Sequence, residues 1–255
     1  MVAAALITLT CALTSGYALF GRTWHTYTTE IGEQRALTLV DGSIIQLNTH
    51  SRLKVRLTVG AREVHVLEGE ALFKVAHDAV RPFRVHTGDA VITAVGTQFE
   101  VYRKPAGTSV EVLEGAVEVA PTAIVDTAAA RARHGREATL NQTHHTQVAR
   151  VAAGEEVDIG SGTGLVRRKL IIPAEVAVWR QRRLVFHNDT LAEIAAEFNR
   201  YNRLKIRVEG QAGMARFAGT FDADSPQEFI AAVAPHQELG IERRSNEVVI
   251  REREP

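Results

Sequence analysis

Residues 62–75, REVHVLEGEALFKV, predict two strands joined by a tight turn. Val64 and Val66 alternate with polar residues before the turn, and Phe73 and Val75 continue an alternation after it. A period of two with β-branched and aromatic residues is typical of a half-buried strand. The pair Glu68-Gly69 separates the two runs, and a glycine there tolerates the positive φ that tight connections require.

The same pattern occurs twice more along the chain. Residues 108–119 read TSVEVLEGAVEV, and residues 149–159, ARVAAGEEVDI, are a degraded third copy. Repeated strand–turn–strand units stack readily, so the echo favours a solenoid or roll. A sandwich stays open as an alternative, because any β-protein is rich in valine and glycine.

The stretch from residue 30 to residue 120 contains no helical period of useful length. Valine, threonine and phenylalanine occupy the odd positions from 91 to 101, and Asp-Gly, Val-Gly or Gly-Asp pairs separate the runs. We therefore predict an all-β domain at residues 28–160. Residues 121–148 are rich in Ala, Arg and His, and we expect them to form a surface insertion in that domain. The GSGTG segment at 160–164 reads as a flexible linker.

Residues 165–255 change to strands that alternate with helices. One helix is expected to begin at Asn188 or Asp189, and a second at Ser225, which is followed by Pro226 at the first helical position. A closing hairpin is expected around Ser245-Asn246. The resulting order, β-α-β-β-α-β-β, predicts a small α+β domain after a mainly β one.

The first 21 residues carry no charge. A helix of about 20 residues spans a bilayer core, so residues 1–21 predict a transmembrane helix that anchors the rest of the chain on the far side. A cleaved signal peptide or a lipidated leader is the alternative. No Lys or Arg precedes the run, and no small-residue cleavage site follows it, so the anchor is favoured.

Composition excludes several classes of function. Thirty basic residues balance 30 acidic ones, so no nucleic-acid footprint is present. Cys11, the only cysteine, lies in the uncharged run. The remaining chain therefore has no disulfide and no thiol-based metal site.

No enzyme site, metal site or cofactor site is predicted. Four carboxylates could form the catalytic pairs of a glycosidase-like enzyme, but turn formation accounts for them better: Asp41, Glu68, Glu70 and Glu114. Three histidines in the polar insertion are better explained as solvated than as metal ligands: His134, His144 and His145. The 160–164 glycines lack the flanking strand and lysine of a phosphate loop.

Several motifs, taken in order, resemble the FecR-type transmembrane regulators of cell-surface signalling. They are Gly32-Glu33-Gln34-Arg35, Leu39-x-Asp41-Gly42-Ser43, Leu47-Asn48-x-x-Ser51-x-Leu53, Leu67-Glu68-Gly69-Glu70-Ala71-x-Phe73-x-Val75, Arg81-Pro82-Phe83-x-Val85, Val95-Gly96-Thr97-x-Phe99-x-Val101 and Val112-x-Glu114-Gly115-x-Val117. The resemblance is dense over about residues 30–120. It resumes at Trp179-Arg180 and at Phe198-Asn199-Arg200-Tyr201, and the tail is similar to the short N-terminal domain of secretins and TonB-dependent transducers.

This resemblance implies a single-pass inner-membrane protein with periplasmic C-terminal domains. Such a protein senses an outer-membrane TonB-dependent transducer in the regulation of iron uptake and relays its state towards an extracytoplasmic-function sigma factor. The family's cytoplasmic N-terminal domain, which holds the sigma factor, is not found before the uncharged run. Anti-sigma activity is therefore not carried over from the family.

Contact with the partner is expected through the exposed edge of a strand in the α+β domain, because strand addition supplies main-chain hydrogen bonds. The candidate residues come from two predicted strands: Leu204, Ile206 and Val208 in one, Val248 and Ile250 in the other. The alternative function is a membrane-anchored extracytoplasmic scaffold or glycan-binding β-protein without a sigma partner.

Overall fold

The computed structural model describes residues 23–122, 148–160 and 164–253. The chain divides into two compact units. The first, which we call the β unit, comprises the chain up to Thr28, Ala36–Gln46 and Arg52–Pro173. The second, the α+β unit, comprises Thr29–Arg35, Leu47–Ser51 and Ala174–Pro255.

Thirteen strands form one large sheet, which confirms the mainly β prediction. Their bounds are β1 His25–Thr28, β2 Arg35–Thr38, β3 Ile44–Leu47, β4 Arg52–Leu57, β5 Arg62–Lys74, β6 Phe83–His86, β7 Ala90–Ala94, β8 Gln98–Lys104, β9 Gly107–Glu114, β10 Ala116–Pro121, β11 Ala149–Ala152, β12 Glu155–Gly160 and β13 Gly164–Leu170. The main path through the sheet is β11-β10-β7-β6-β5-β8-β9-β12-β13.

Strand β5 folds back on itself at Gly69, which has a φ of 79°. A straight strand of 13 residues would span about 40 Å. Instead, a guanidinium nitrogen of Arg62, at the start of β5, lies 2.8 Å from the carbonyl oxygen of Ala76, just beyond its end. The first half of β5 pairs with β4 and β6, and the second half pairs with β8.

The other two copies of the sequence echo turn the chain in the same way. Gly115, with φ 80°, separates β9 from β10, and Gly154, with φ 84°, separates β11 from β12. The N–H of Ala153 donates to Gly115 O and that of Gly154 donates to Val112 O, so these two turns lie against each other. The repeated sequence therefore encodes repeated strand reversals.

Apolar side chains from both halves of the curled sheet meet in its core. Phe73 stacks on Phe99 at 5.2 Å between ring centroids, and Phe83 packs 6.1 Å from Phe73. All three rings are fully buried. The predicted continuous alternation from 91 to 101 is divided between β7 and β8. The backbone passes so close to His77 at Gly96 that a Cβ there would lie 2.6 Å from that ring.

The α+β unit contains the predicted order β-α-β-β-α-β-β. Its elements are β14 Arg183–Thr190, α1 Leu191–Tyr201, β15 Lys205–Val208, β16 Arg216–Asp222, α2 Pro226–Val233, β17 Leu239–Arg243 and β18 Glu247–Glu252, with 3-10 turns at Val178–Gln181 and Gly210–Met214. Helix α2 follows Ser225 and begins with Pro226, as predicted. Phe198 stacks on Phe229 at 5.1 Å, and Phe186 and Phe221 complete an aromatic core.

Helix α1 begins later than predicted. Its N-cap is Thr190, whose hydroxyl accepts from the N–H of Glu193 while the Glu193 carboxylate accepts from the N–H of Thr190. The carboxylate of Asp189 accepts a hydrogen bond from the N–H of His187, so it stabilises the backbone before the helix and does not cap the helix. The prediction of Asn188 or Asp189 as the N-cap was wrong, because the reciprocal capping box of Thr190 and Glu193 makes Thr190 the N-cap.

The boundary between the two units also differs from the predicted linker. Strand β13, residues 164–170, pairs with β12 and belongs to the β unit, so that unit continues to Pro173. Two short segments from the first part of the chain, residues 29–35 and 47–51, belong to the α+β unit. The segment 161–163 lies outside the described residues.

Among the described residues, no helix has the length and apolar character needed to cross a membrane. The predicted transmembrane helix at 1–21 lies outside the described residues, as do residues 123–147 of the predicted insertion with His134, His144 and His145.

Candidate partner-binding site

The three-stranded sheet of the α+β unit has the order β15-β18-β17. Strand β18 is central: it pairs in parallel with β15 and antiparallel with β17. Val248 and Ile250 lie on this central strand and are buried. They belong to the core, so β18 is not the edge strand of the two candidates.

Strand β15 lies at one edge, but this edge is closed at its centre. The N–H groups of Lys205 and Glu209 donate to carbonyls of the β18 segment, so the backbone groups of Ile206 point the other way. On that side, the side chain of Asn199 on α1 forms hydrogen bonds with both the N–H and the C=O of Ile206. Its Oδ1 accepts from Ile206 N–H at 2.7 Å, and its Nδ2 donates to Ile206 O at 2.8 Å. Ile206 is itself buried, so it is a core residue and not part of an open edge.

A shallow groove of about 390 Å³ runs between α1 and β15. Its helix side is formed by small residues, which leave space above the strand: Ala192, Ala195 and Ala196. The ammonium of Lys205 bonds the carbonyls of Asn199 and Asn202 at 2.7 and 2.8 Å, which caps the C-terminal end of α1. Leu204 and Val208, at either end of β15, are half-buried.

Strand β17 forms the other edge, and it is open. The N–H of Arg244 donates to Glu247 O and the N–H of Arg253 donates to Glu238 O, so the even-numbered residues of β17 face β18. The backbone groups of Ile241 and Arg243 therefore point away from β18. Within the part of the chain that the structure describes, no strand pairs with β17 on this side. The N–H of Leu239 is used locally, because it donates to His236 O.

Charged side chains cover one face of this three-stranded sheet. Arg207 bridges Glu209 at 2.7 Å and Glu247 at 3.1 Å, and Arg244 bridges Glu242 at 2.9 Å. The hydrogen bond from Arg244 lowers the pKa of Glu242. Alternating charge along an exposed sheet face favours partners whose charges match in register and disfavours others.

A second cluster of polar side chains joins motif residues that are far apart in the sequence. Asn48 donates from Nδ2 to the hydroxyl of Tyr201 at 2.5 Å, and Gln34 donates from Nε2 to Trp179 O at 2.7 Å. Thr49 adds a bond from its hydroxyl to Arg200 O at 2.9 Å. All these residues belong to the α+β unit. The motifs around residues 32–51 therefore complete this unit instead of forming a separate site.

Two of the four carboxylates considered as catalytic groups, Asp41 and Glu68, have structural partners. Asp41 Oδ2 lies 3.2 Å from Arg62, and Glu68 pairs with Arg52 at 3.4 Å across the β4–β5 ladder. Arg81 pairs with Asp78 at 2.9 Å and donates to Thr58 O, as expected of a residue that stabilises turns. Among the described residues, no three His, Cys, Asp or Glu side chains are placed to hold a metal ion.

Sequence reasoning missed Ile241, Arg243 and Asn199. The strand at 239–243 was recognised as one arm of a hairpin, but which of its sides stays open depends on the parallel pairing of β15 with β18. Asn199 belongs to the Phe198-Asn199-Arg200-Tyr201 motif, which by itself assigns no role to the asparagine. An asparagine on a helix a few residues before a strand is a weak signal for a side chain that binds strand backbone.

Comparison with known proteins supports the family resemblance. Residues 25–118 match the family described as FecR protein. No curated protein matches the chain.

Two crystal structures of a protein named "putative anti-sigma factor" from Parabacteroides distasonis share the fold. The structure at 2.50 Å resolution has a TM-score of 0.72 and 21% identity, and the match covers 91% of this chain and 100% of that one. The structure at 1.65 Å resolution has the same TM-score and identity, over 90% of this chain and 100% of that one. Because identity is 21%, this likeness shows the fold alone. The match at residues 25–118 shows that the chain contains a FecR domain.

Proposed function

We propose that this chain is a regulator of cell-surface signalling that acts by protein–protein contact and not by catalysis. It is anchored in the inner membrane by residues 1–21, with its two units in the periplasm. There it detects the state of an outer-membrane TonB-dependent transducer and relays that state towards an extracytoplasmic-function sigma factor.

The FecR domain at residues 25–118 is the observation that carries this proposal. The likeness in fold to a protein whose name is "putative anti-sigma factor" supports it. The uncharged run at 1–21 supports a membrane anchor, because a span of about 20 apolar residues is the length that crosses a bilayer.

The outer edge of β17 is the surface we assign to the transducer. Ile241 and Arg243 present backbone N–H and C=O groups that a strand of the partner can bond. Main-chain bonds of this kind supply affinity, and the charged residues beside them, Glu242 and Arg244, supply specificity. The edge of β15 is less suitable, since Asn199 already bonds both backbone groups of Ile206.

Two substitutions at Arg243 test this edge. Arg243→Pro removes an N–H that points away from β18, so it leaves the β17–β18 ladder intact, as proline does on the free side of edge strands. Arg243→Ala removes the same side chain and keeps the N–H. We expect the proline variant to bind the purified signalling domain of the transducer at least about tenfold more weakly, the equivalent of about one hydrogen bond. The alanine variant should bind nearly as well as the unchanged chain.

Calorimetric titration gives the affinities, and circular dichroism shows that both variants are folded. A folded Arg243→Pro protein with unchanged affinity would exclude this edge as the contact. If the unchanged chain binds no transducer signalling domain, the relay itself is excluded and the scaffold or glycan-binding function gains support.

The topology has a separate test. A reporter that is active only in the periplasm, fused after Pro255, should be active, and the chain should fractionate with the inner membrane. A mature protein that begins near residue 20 would show that the run is cleaved, and the anchor proposal would fail.

A further inference from the structure

Three turns at one end of the β unit each expose a valine. Val40 lies between β2 and β3, Val59 between β4 and β5, and Val80 in the loop before β6. Their side chains are 87%, 85% and 91% exposed, which makes them the most exposed large apolar side chains that the structure describes. Turns favour Gly, Asn, Asp, Pro and Ser, so valine brings no benefit to the turn itself. One such residue would need no explanation, but three at one end of a unit do.

Buried Arg62 holds the three turns together. Its guanidinium donates to Asp41 in the first turn and to the carbonyls of Ala76, Asp78 and Arg81 in the loop before β6. Arg81 in turn donates to Thr58 O in the turn that carries Val59. The side chain of Arg62 is 1% exposed, so this node lies inside the turns and their tips project outward. The valines therefore sit on a rigid base.

The chain enters the β unit at this same end. His25 pairs with Val55, so Trp24 is level with Arg56, two residues before the turn that begins at Thr58. Trp24 is held in place there by the guanidinium of Arg56, 4.5 Å above its ring, and by His65, 4.6 Å away. These contacts fix Trp24 at the turn end of the β unit.

Only a short tether separates this end from the uncharged run. Gly21, Arg22 and Thr23 stand between Phe20, the last apolar residue of the run, and Trp24. Four peptide steps reach at most about 14 Å when fully extended. A bilayer that contains the run must therefore lie within that distance of Trp24. Tryptophan at such a position is typical of the membrane–water interface.

We propose that the turn end of the β unit rests on the bilayer surface, with Val40, Val59 and Val80 inserted among the lipid headgroups. This inference depends on the proposed membrane anchor at residues 1–21. The occupant of the surface is the outer face of the membrane that holds the run, because the short tether keeps the Trp24 end of the β unit within about 14 Å of that face. Contact at several points orients the β unit on the membrane, which a single point of attachment does not.

Single cysteine substitutions, labelled with a fluorophore, can detect the contact between the valines and the membrane in the full chain. Cys11 is the only native cysteine and is replaced by alanine. Cysteine is then introduced singly at positions 40, 59 and 80 and labelled with an environment-sensitive fluorophore. The control is Ala106→Cys, an exposed site in the β8–β9 turn, at the Gly69 end of the strands. The labelled chains are reconstituted in phosphatidylethanolamine–phosphatidylglycerol vesicles with and without nitroxide-labelled headgroups.

We expect a blue shift of the emission at all three valine positions, and loss of fluorescence when nitroxide lipid is present. Ala106→Cys should show neither change. Vesicle flotation distinguishes failure of the surface contact from failure of the membrane anchor. A chain that floats but whose valine positions behave like position 106 would overturn this inference and leave the anchor intact. A chain that does not float would overturn both.

A second pair of variants tests whether the valines themselves carry the contact. In the chain labelled at position 40, Val59→Asp should reduce quenching, because a carboxylate resists entry into the interface. Val59→Thr has nearly the same shape and should reduce it less. Unchanged quenching with Val59→Asp would show that the valines do not hold this end on the membrane, and the inference would fall.

Discussion

The two units place their charged side chains in opposite ways. The β unit buries charge: Arg62 is 1% exposed at the centre of three turns, and Glu156 is 2% exposed on β12. The α+β unit has an aromatic core around Phe198 and Phe229, and the ion pairs of Arg207 and Arg244 lie on the exposed face of its three-stranded sheet. Buried charges must be fully bonded and therefore hold specific geometry, whereas exposed pairs contribute little to stability. The difference indicates that the turns of the β unit are positioned by polar contacts and that the α+β unit is stabilised mainly by apolar packing.

Arg62→Ala should produce the largest effect. Three carbonyls and the carboxylate of Asp41 would lose their donor in a buried site, at a cost of about 3–5 kcal/mol in the free energy of unfolding. Urea denaturation measures the loss, and hydrogen exchange should locate it in residues 39–43 and 76–82. Arg62→Lys keeps the charge but has a single donor centre, so it should recover only part of the stability. Full recovery with lysine would show that charge alone positions the turns.

Glu111 should make the stability of the β unit depend on pH. It pairs across the strands with Glu100 on β8 and Glu156 on β12. Burial first, then the charges of Glu156 and Glu70, raise the pKa of Glu111 from its usual 4.5 to about 7, while Lys169 and Lys104 act in the opposite direction.

The folded protein therefore binds this proton more tightly than the unfolded chain does. The resulting stability is complete below pH 4.5 and is lost as the pH rises to 7, by on the order of 2–3 kcal/mol at about 1.4 kcal/mol for each pKa unit. Glu111→Gln should remove this slope in denaturation measured between pH 4.5 and 7. Glu118→Gln, at an exposed position on β10, should leave the slope unchanged. A slope that persists in Glu111→Gln would assign the pH dependence to another group.

Tyr201→Phe tests the polar cluster of the α+β unit. It removes a buried hydrogen bond that the Asn48 amide donates, which should cost about 1–3 kcal/mol. A double-mutant cycle with Asn48→Ala should show coupling, since the two side chains share one bond. Additive losses would mean that residues 47–51 contribute to this unit independently of Tyr201.

Arg244→Ala should have the smallest effect on stability. Its pairs with Glu242 and Glu247 lie at the surface, with side chains 31–49% exposed, so we expect no measurable change in the denaturation midpoint. The salt dependence of partner binding should change instead, because exposed charges act on association more than on folding. A clear loss of stability would contradict the contrast between the two units.

Much of the fold could be predicted from local patterns. The Leu-Glu-Gly echo predicted reversals at Gly69 and Gly115, and both glycines have positive φ. The spacing of Leu191, Ile194 and Phe198 at i, i+3 and i+7 predicts that they share one face of α1, and all three are fully buried. Such features are readable because periodicity and turn chemistry act over a few residues.

The candidate site could not be predicted in the same way. Ile206 and Val248 were selected as strand residues with alternating apolar character, yet both lie in the core. The open edge belongs to β17, and the edge of β15 is closed by a side chain from α1.

The sequence by itself determined the mainly β character, the three strand reversals and the order of elements in the α+β unit. Each of these follows from the spacing of apolar residues, glycines and helix caps along short stretches. Only the tertiary structure decided which strand is central, that Asn199 covers β15, that Arg62 joins three turns, and that Asn48 belongs with Tyr201. These contacts join residues that are from seven to more than 150 positions apart. Packing selects them from many pairings that have the same local pattern.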